Sequence, residues 1–360
     1  MKKKIHLPLL VLLIITFFAS CNKAKIEEPS KVSIEKFNSS IAKQQRLLAD
    51  KALLKMAYAF LEKYQSEKNN TNTSRIGVIK VPDDFATIQD AVNAAAEGAQ
   101  ILVKRGIYTE SIIINTKGLK LLADNNVVIK GGILIASSEV KIRNFSFDCT
   151  GIEPPLPGQV QLMGITVINN ASQVLLTQNK ILNSYFGIVL DQGVTQVSIF
   201  KNQVICNDNT MYNGIRLNGA QNNMIQQNII QGAMDAGIAL FYNFDLVPPS
   251  SFNNISENSC KNDGVGIYID GGGGYNNKNK IRENNLTECS IGMIMDFANN
   301  NLIKENTVSN NLIYGILLSD NTNVNRVESN VSLNNGECDL INSGIDNVFI
   351  ANTTGCTQGL

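Results

Sequence analysis

Two aspartates stand in matching places in this chain. GIYID at 266–270 ends on Asp270 and GMIMD at 292–296 ends on Asp296, each after a glycine and an alternating apolar segment. If the two segments are neighbouring strands, the carboxylates lie about 4.8 Å apart. That separation suits a retaining-type carboxylate pair acting on a glycoside, or two oxygen ligands for Ca²⁺. Two copies upstream, GIRL at 214–217 puts Arg216 in the middle of the same segment. A guanidinium there could face a uronate carboxylate. Tyr268, Tyr242 and Tyr275 are candidates to stack on sugar rings, and Asp191 holds the aspartate position of an earlier copy. The insertions NFDLVPPSSF at 243–252 and GGGGYNN at 271–277 frame the same area, and binding residues favour such loops.

These residues are placed by a repeat. Gly followed by apolar-x-apolar occurs at Gly164, Gly187, Gly214, Gly237, Gly266, Gly292 and Gly315. A second phrase, N-x-[IVF]-x-x-N, interleaves with it: NMIQQN at 223–228, NNISEN at 253–258, NKIREN at 279–284, NLIKEN at 301–306, NRVESN at 325–330 and NVFIAN at 347–352. Each phrase has inward side chains two apart, so each is a short strand. A third strand follows the second asparagine, with Ile181, Val204, Ile230, Cys260, Leu286 and Val308 facing in. Three strands and three turns make one rung, and rungs stack into a solenoid. The recurring asparagines are expected to bond in columns from rung to rung, since an inward polar side chain is costly unless hydrogen-bonded.

Outward positions then read rung by rung. The middle residues of the glycine phrase run Thr166, Val189, Arg216, Ala239, Tyr268, Ile294 and Leu317. The residues after it run Ile168, Asp191, Asn218, Phe241, Asp270, Asp296 and Ser319. Open to solvent, this face would be a groove. The apolar Ile294 and Leu317 instead suit a face covered by a helix or a partner.

Upstream of the rungs, VIKV at 78–81 and QILVK at 100–104 read as strands, GIY at 106–108 as a turn and SIIIN at 111–115 as a strand. A helix is expected at 87–96, capped by Thr87 with Asp90 reaching back. Residues 31–76 form a helical spacer and linker, Leu47, Leu54 and Leu61 recurring every seven, with a coiled coil or a helix laid along the domain as alternatives. The opening MKKK, an apolar run and FASC before Cys21 form a targeting signal. Lys+Arg and Asp+Glu both count 31, which leaves no net field for nucleic acid. Of the six later cysteines, none has metal-site spacing, and a Cys338–Cys356 bridge stays open.

The targeting segment resembles a bacterial lipoprotein signal, which implies cleavage before Cys21, lipid on Cys21 and delivery to the outer membrane. An ordinary secretory signal is the alternative. The domains are then a 1–20 signal, a 21–30 tether, the 31–76 spacer and a 77–360 solenoid. The rungs, together with TIQDAVNAA and ILVKRGIYTESIIIN at 87–95 and 101–115, resemble the pectin-lyase-like superfamily. That resemblance implies an all-β, right-handed, single-stranded parallel β-helix of three strands per rung and about ten rungs, with an N-terminal capping helix. It also lets family chemistries be tried. Polygalacturonase-type hydrolases carry Gly-His-Gly, but the single histidine here is His6. The Asp-Pro-His-Asp of alginate-type epimerases is absent too. A Ca²⁺-dependent lyase remains compatible, with Asp270 and Asp296 holding the metal and Arg216 or a nearby lysine as base. Two functions stay open: an envelope lipoprotein that binds carbohydrate or another surface ligand without catalysis, and a lyase acting on an anionic glycan. A third, an accessory protein of metalloenzyme maturation, has no histidine in the mature chain to support it.

Overall fold

In the computed structural model, residues 55, 57–59, 61–66, 75–150, 164–207, 211–241, 248–272 and 276–360 are described. Three long parallel sheets run along a right-handed solenoid, and strands of successive rungs are neighbours in each. The first sheet has 12 strands, from Val78–Val81 to Val348–Ile350, and carries the asparagine phrases. The glycine sheet has 11, from Ile112–Ile114 to Thr357–Gln358, and the third sheet also has 11, from Gly106–Tyr108 to Thr353–Thr354. The described strands make about eleven rungs, in keeping with the expected ten or so. Gly106–Tyr108, expected as a turn, is the first strand of the third sheet. Its three residues pair with Val127–Ile129, and that ladder outweighs the local turn preference of glycine.

Sequence dictates each rung locally. In Lys280–Arg282, only Ile281 points inward and is fully buried; Ile255 and Ile303 sit above and below it. Burying one such side chain stabilises by about 1.5–3 kcal/mol. Glu283 then takes φ +57° and Asn284 begins the next strand direction. The same left-handed turn precedes the asparagine at Gln227, Glu257, Glu305 and Ser329. Backbone crowding explains the glycine phrase. A β-carbon on Gly214 would meet Gly237 O at 2.6 Å and Ile230 Cγ2 at 2.4 Å.

Two asparagine columns form as expected. In one, Asn179, Asn202, Asn228, Asn258, Asn284, Asn306, Asn330 and Asn352 each offer Oδ1 to the Nδ2 of the rung before, at 2.9–3.1 Å where such a donor precedes. The same Oδ1 also accepts a backbone N–H, as from Asn228 to Asn258 at 3.0 Å. The other column runs through Asn223, Asn253, Asn279, Asn301, Asn325 and Asn347.

Helix α1 spans Ile88–Ala94 and buries Ile88, Ala91 and Val92 against the first strands. Thr87 Oγ1 accepts from the Asp90 amide at 3.0 Å. The two preceding amides are met from outside the helix, by Glu110, whose carboxylate accepts from Ile88 and Gln89 N–H at 3.0 and 2.9 Å. A negative group suits a helix N-terminus.

The segment expected as a spacer is partly a packed element. Residues 55, 57–59 and 61–66 are helical, and Ala57 and Leu61 are buried against Ile113, Leu134, Ala136 and Ile168 on the outside of the glycine sheet. The earlier part of the spacer and Cys21 lie outside the described residues. No described helix is long and apolar enough to cross a membrane. Cys338 and Cys356 form a disulfide, and Cys149, Cys206, Cys260 and Cys289 are buried.

Candidate functional site: the outer row of the glycine sheet

The register places the aspartates opposite one another, Asp270 against Asp296, with Tyr268 against Ile294 and Arg216 against Ala239. The row is therefore continuous along the sheet, but it is not an open groove. Arg216, Tyr268, Asp270 and Asp296 each expose 8% or less of their surface.

Their polar atoms are engaged within the protein. Tyr268 donates its hydroxyl to Asp270 Oδ2 at 3.1 Å, and the Gly272 N–H donates to Asp270 Oδ1 at 2.9 Å. The Ser319 hydroxyl donates to Asp296 Oδ1 at 2.6 Å. Arg216 donates from Nε to Asn218 Oδ1 at 3.1 Å and from an Nη to Asn213 Oδ1 at 2.8 Å. Its guanidinium lies 4.3 Å from the Phe241 ring centroid and 5.5 Å from that of Phe186. Flat guanidinium groups stack well on aromatic faces. Tyr268 in turn meets Phe241 edge-on at 5.4 Å. This is an interior arrangement, in which polar groups taken from water receive internal partners.

Several sequence expectations are corrected by that burial. Tyr268 is fully buried and presents no ring for a sugar to stack on. Arg216 faces aromatic rings and asparagine oxygens instead of solvent. Asp191, expected as a ligand contact, accepts at Oδ2 from the Tyr58 hydroxyl of the 55–66 helix at 2.8 Å. Burial pushes the Asp191 carboxyl above its ordinary range, and burial followed by the Asp191 charge raises the Tyr58 phenol. For Asp191 the cause is the helical segment packed over the outer face, which period-two patterning cannot reveal. Tyr242 and Tyr275 lie outside the described residues. Among the described residues, no group of three or more His, Cys, Asp or Glu could hold a metal.

A third turn column escaped the sequence reading. It contains Asp263, Cys289, Asn311 and Asn335. Asn311 Nδ2 donates to Asn335 Oδ1 at 2.9 Å, and Cys289 N–H donates to Asn311 Oδ1 at 3.0 Å. Asp263 Oδ1 accepts from Ala233 N–H at 2.7 Å, but its buried Oδ2 has no partner. Gly237 supplies the room: a β-carbon there would meet Asp263 Oδ2 at 2.6 Å and Cys260 Sγ at 3.1 Å. Burial pushes the Asp263 carboxyl from 3.8 up to about 8. The signal was present in the alignment of NDG at 262–264 with ECS, NNL and NNG on the next rungs.

Comparison with known proteins agrees with this architecture. Residues 105–277 and 246–357 match the family described as right handed beta helix region, and the chain belongs to that family. No curated protein sequence matches it. Among solved structures, the mannuronan C-5 epimerase A-module of Azotobacter vinelandii is 13% identical, with TM-score 0.54, covering 76% of this chain and 91% of that one. A polygalacturonase from Erwinia carotovora ssp. carotovora is 13% identical, with TM-score 0.56, covering 80% and 95%. The Dettilon tailspike protein is 16% identical, with TM-score 0.54, covering 76% and 68%. These likenesses are of fold.

Proposed function

We propose that the chain is a cell-envelope lipoprotein whose β-helix binds carbohydrate at its surface without catalysing a reaction. The observation that carries the non-catalytic half is the sealing of the Asp270–Asp296 pair. Its oxygens accept from Tyr268, Gly272 and Ser319, so the pair is satisfied as a structural feature. A catalytic carboxylate must instead come within hydrogen-bond reach of a substrate atom. Carbohydrate as the ligand is supported by the fold shared with proteins named for mannuronan and polygalacturonate chemistry. The anchor is the lipid on Cys21, as the FASC signal suggests, with outer-membrane delivery.

The protein should retain anionic oligosaccharides on an affinity column, while releasing neither reducing ends nor ultraviolet-absorbing unsaturated ends from them. Product formation abolished in the Asp270→Asn plus Asp296→Asn double variant would overturn this reading in favour of the lyase. Acylation of the mature N-terminus, read by mass spectrometry, tests the anchor; a chain beginning at Cys21 without lipid would refute it.

A further inference from the structure

Three buried side-chain oxygens among the described residues have no hydrogen-bond partner, and two of them belong to one strand. Asn254 Oδ1 and Ser256 Oγ flank the inward Ile255 on Asn254–Ser256 of the first sheet, so both side chains point to the outer face. Ser256 is fully buried. An unmet buried hydroxyl or amide oxygen carries a desolvation cost, and native structures rarely leave one without a reason.

The same line of residues carries a second irregularity. Phe252, immediately before the column residue Asn253, has φ +60° and is 47% exposed. Other rungs put Gln196, Asn222, Lys278, Asn300, Val324 and Asp346 in this left-handed position, so Phe252 is one of two apolar residues there. A bulky residue is uncommon there, and strain of this kind gathers at binding sites. Phe252 also closes the 243–252 insertion that the repeat does not require.

Residues two apart on a strand are spaced by about 6.6 Å. Asn254 and Ser256 therefore set two unmet oxygens side by side along the strand, and the exposed Phe252 ring belongs to the turn that precedes it. On the next rung, Lys280 and Arg282 stand beside Asn254 and Ser256, and Met224 and Gln226 stand on the other side. Arg282 is engaged by Glu283 at 2.9 Å. Lys280 is exposed, and Lys278 Nζ lies 5.2 Å from the Phe252 ring centroid. An aromatic face, acceptors for hydroxyl donors and two lysines together match a polyhydroxylated ligand that bears carboxylates. Ser256 is flanked by Gln226, which donates to Glu257 at 2.6 Å, and by Arg282, so a ligand reaching its hydroxyl must displace these side chains.

We infer that the outer face of the first sheet at Phe252, Asn254 and Ser256 is a binding site for an acidic oligosaccharide. The site rests on the carbohydrate-binding reading and moves it from the internally satisfied glycine sheet to two unmet oxygens on the first sheet. One sugar ring stacks on Phe252, hydroxyls donate to Asn254 Oδ1 and Ser256 Oγ, and Lys278 and Lys280 face the carboxylates.

Titration calorimetry of the protein with oligomannuronate, oligogalacturonate and a neutral gluco-oligosaccharide tests the site. Three variants preserve the fold by design. Phe252→Asn uses the residue that the same turn has at Asn222 and Asn300, while Asn254→Ala and Ser256→Ala remove atoms with no internal bond at those oxygens. Their melting temperatures should match the wild type. An acidic oligosaccharide should bind the wild type tightly and Phe252→Asn about tenfold more weakly. Loss of one hydrogen bond in either alanine variant should weaken binding by roughly three- to tenfold. Lys280→Gln should selectively weaken the acidic ligands. Undiminished binding in all these variants overturns the site while leaving carbohydrate binding intact. Equal affinity for the neutral oligosaccharide overturns the acidic preference. Absence of binding to any glycan overturns both the site and the function it rests on.

Discussion

Asp263 shows how one atom changes what a column of turns can do. Asn311 accepts at Oδ1 from the Cys289 N–H of the rung before and donates Nδ2 to Leu286 O at 3.2 Å and to Asn335 Oδ1 of the next rung at 2.9 Å. Aspartate can supply the acceptor but not the donor. Its folded-state proton affinity is raised by burial, so between pH 4 and 8 the folded protein holds a proton that the unfolded chain releases. The stability linked to that proton is fully present below the ordinary carboxylate value and is lost as pH rises through about 8. Stability should therefore fall by up to about 1.4 kcal/mol per pH unit across this window. Asp263→Asn should remove the slope and stabilise the protein at pH 8; urea titrations at several pH values would read both. A slope unchanged in Asp263→Asn would assign it elsewhere. The regular columns predict the opposite sign of effect. Asn258→Ala deletes bonds to Asn284 Oδ1 and Ile225 O and strands the Asn228 backbone N–H, which should cost about 1–3 kcal/mol for each buried group left unmet. That loss is measurable by denaturant midpoint.

At the scale of elements, the 55–66 helix joins the capping helix to the outer face of the glycine sheet. The Tyr58 hydroxyl reaches Asp191, and the Tyr64 hydroxyl donates to Asn93 on α1. Among its described residues, Ala57 and Leu61 are buried in its apolar contact and Tyr58 and Tyr64 pack partly against it, and a short helix is held by such packing rather than by propensity. Leu61→Ala should release the helix without unfolding the solenoid. Limited proteolysis should then cut within residues 55–75 far sooner than in the wild type, while the main thermal transition stays in place. A shifted main transition would mean that the helix and the first rungs unfold as one unit. Much of this level was legible in advance. The phrases at 279–284 and 301–306 located their strands and inward isoleucines correctly, because period-two patterning depends on adjacent residues. GIY at 106–108 was misread because a three-residue strand takes its identity from the rung beneath it.

For the whole molecule, each rung touches mainly its two neighbours, so stability is close to a sum along one dimension. The Cys338–Cys356 bridge closes a separation of 18 residues in the last rungs. Closing a loop of that size stabilises by about 3 kcal/mol in the chain-entropy account. Reduction should accordingly loosen residues 338–358 before the rest. Hydrogen exchange should show faster exchange there and little change near 165–240. Uniform acceleration along the solenoid would indicate a single cooperative unit instead.

Sequence alone determined the rung. The alternation of inward residues, the turn asparagines and their recurrence on successive rungs are local or rung-to-rung facts, and they led to the three sheets, the register of Asp270 with Asp296 and the two ladders. Tertiary structure decided which faces of that solenoid meet water. Tyr58 and Leu61 lie far in sequence from Asp191 and Leu134, and no periodicity records that a helix seals them together. Burial turned the Asp270–Asp296 row into an interior network. Exposure at Phe252, beside two unmet oxygens, turned an apparent scaffold strand into the candidate site. The physical reason is the same in both cases: a side chain's chemistry follows from its desolvation and its partners, and both come from segments remote along the chain.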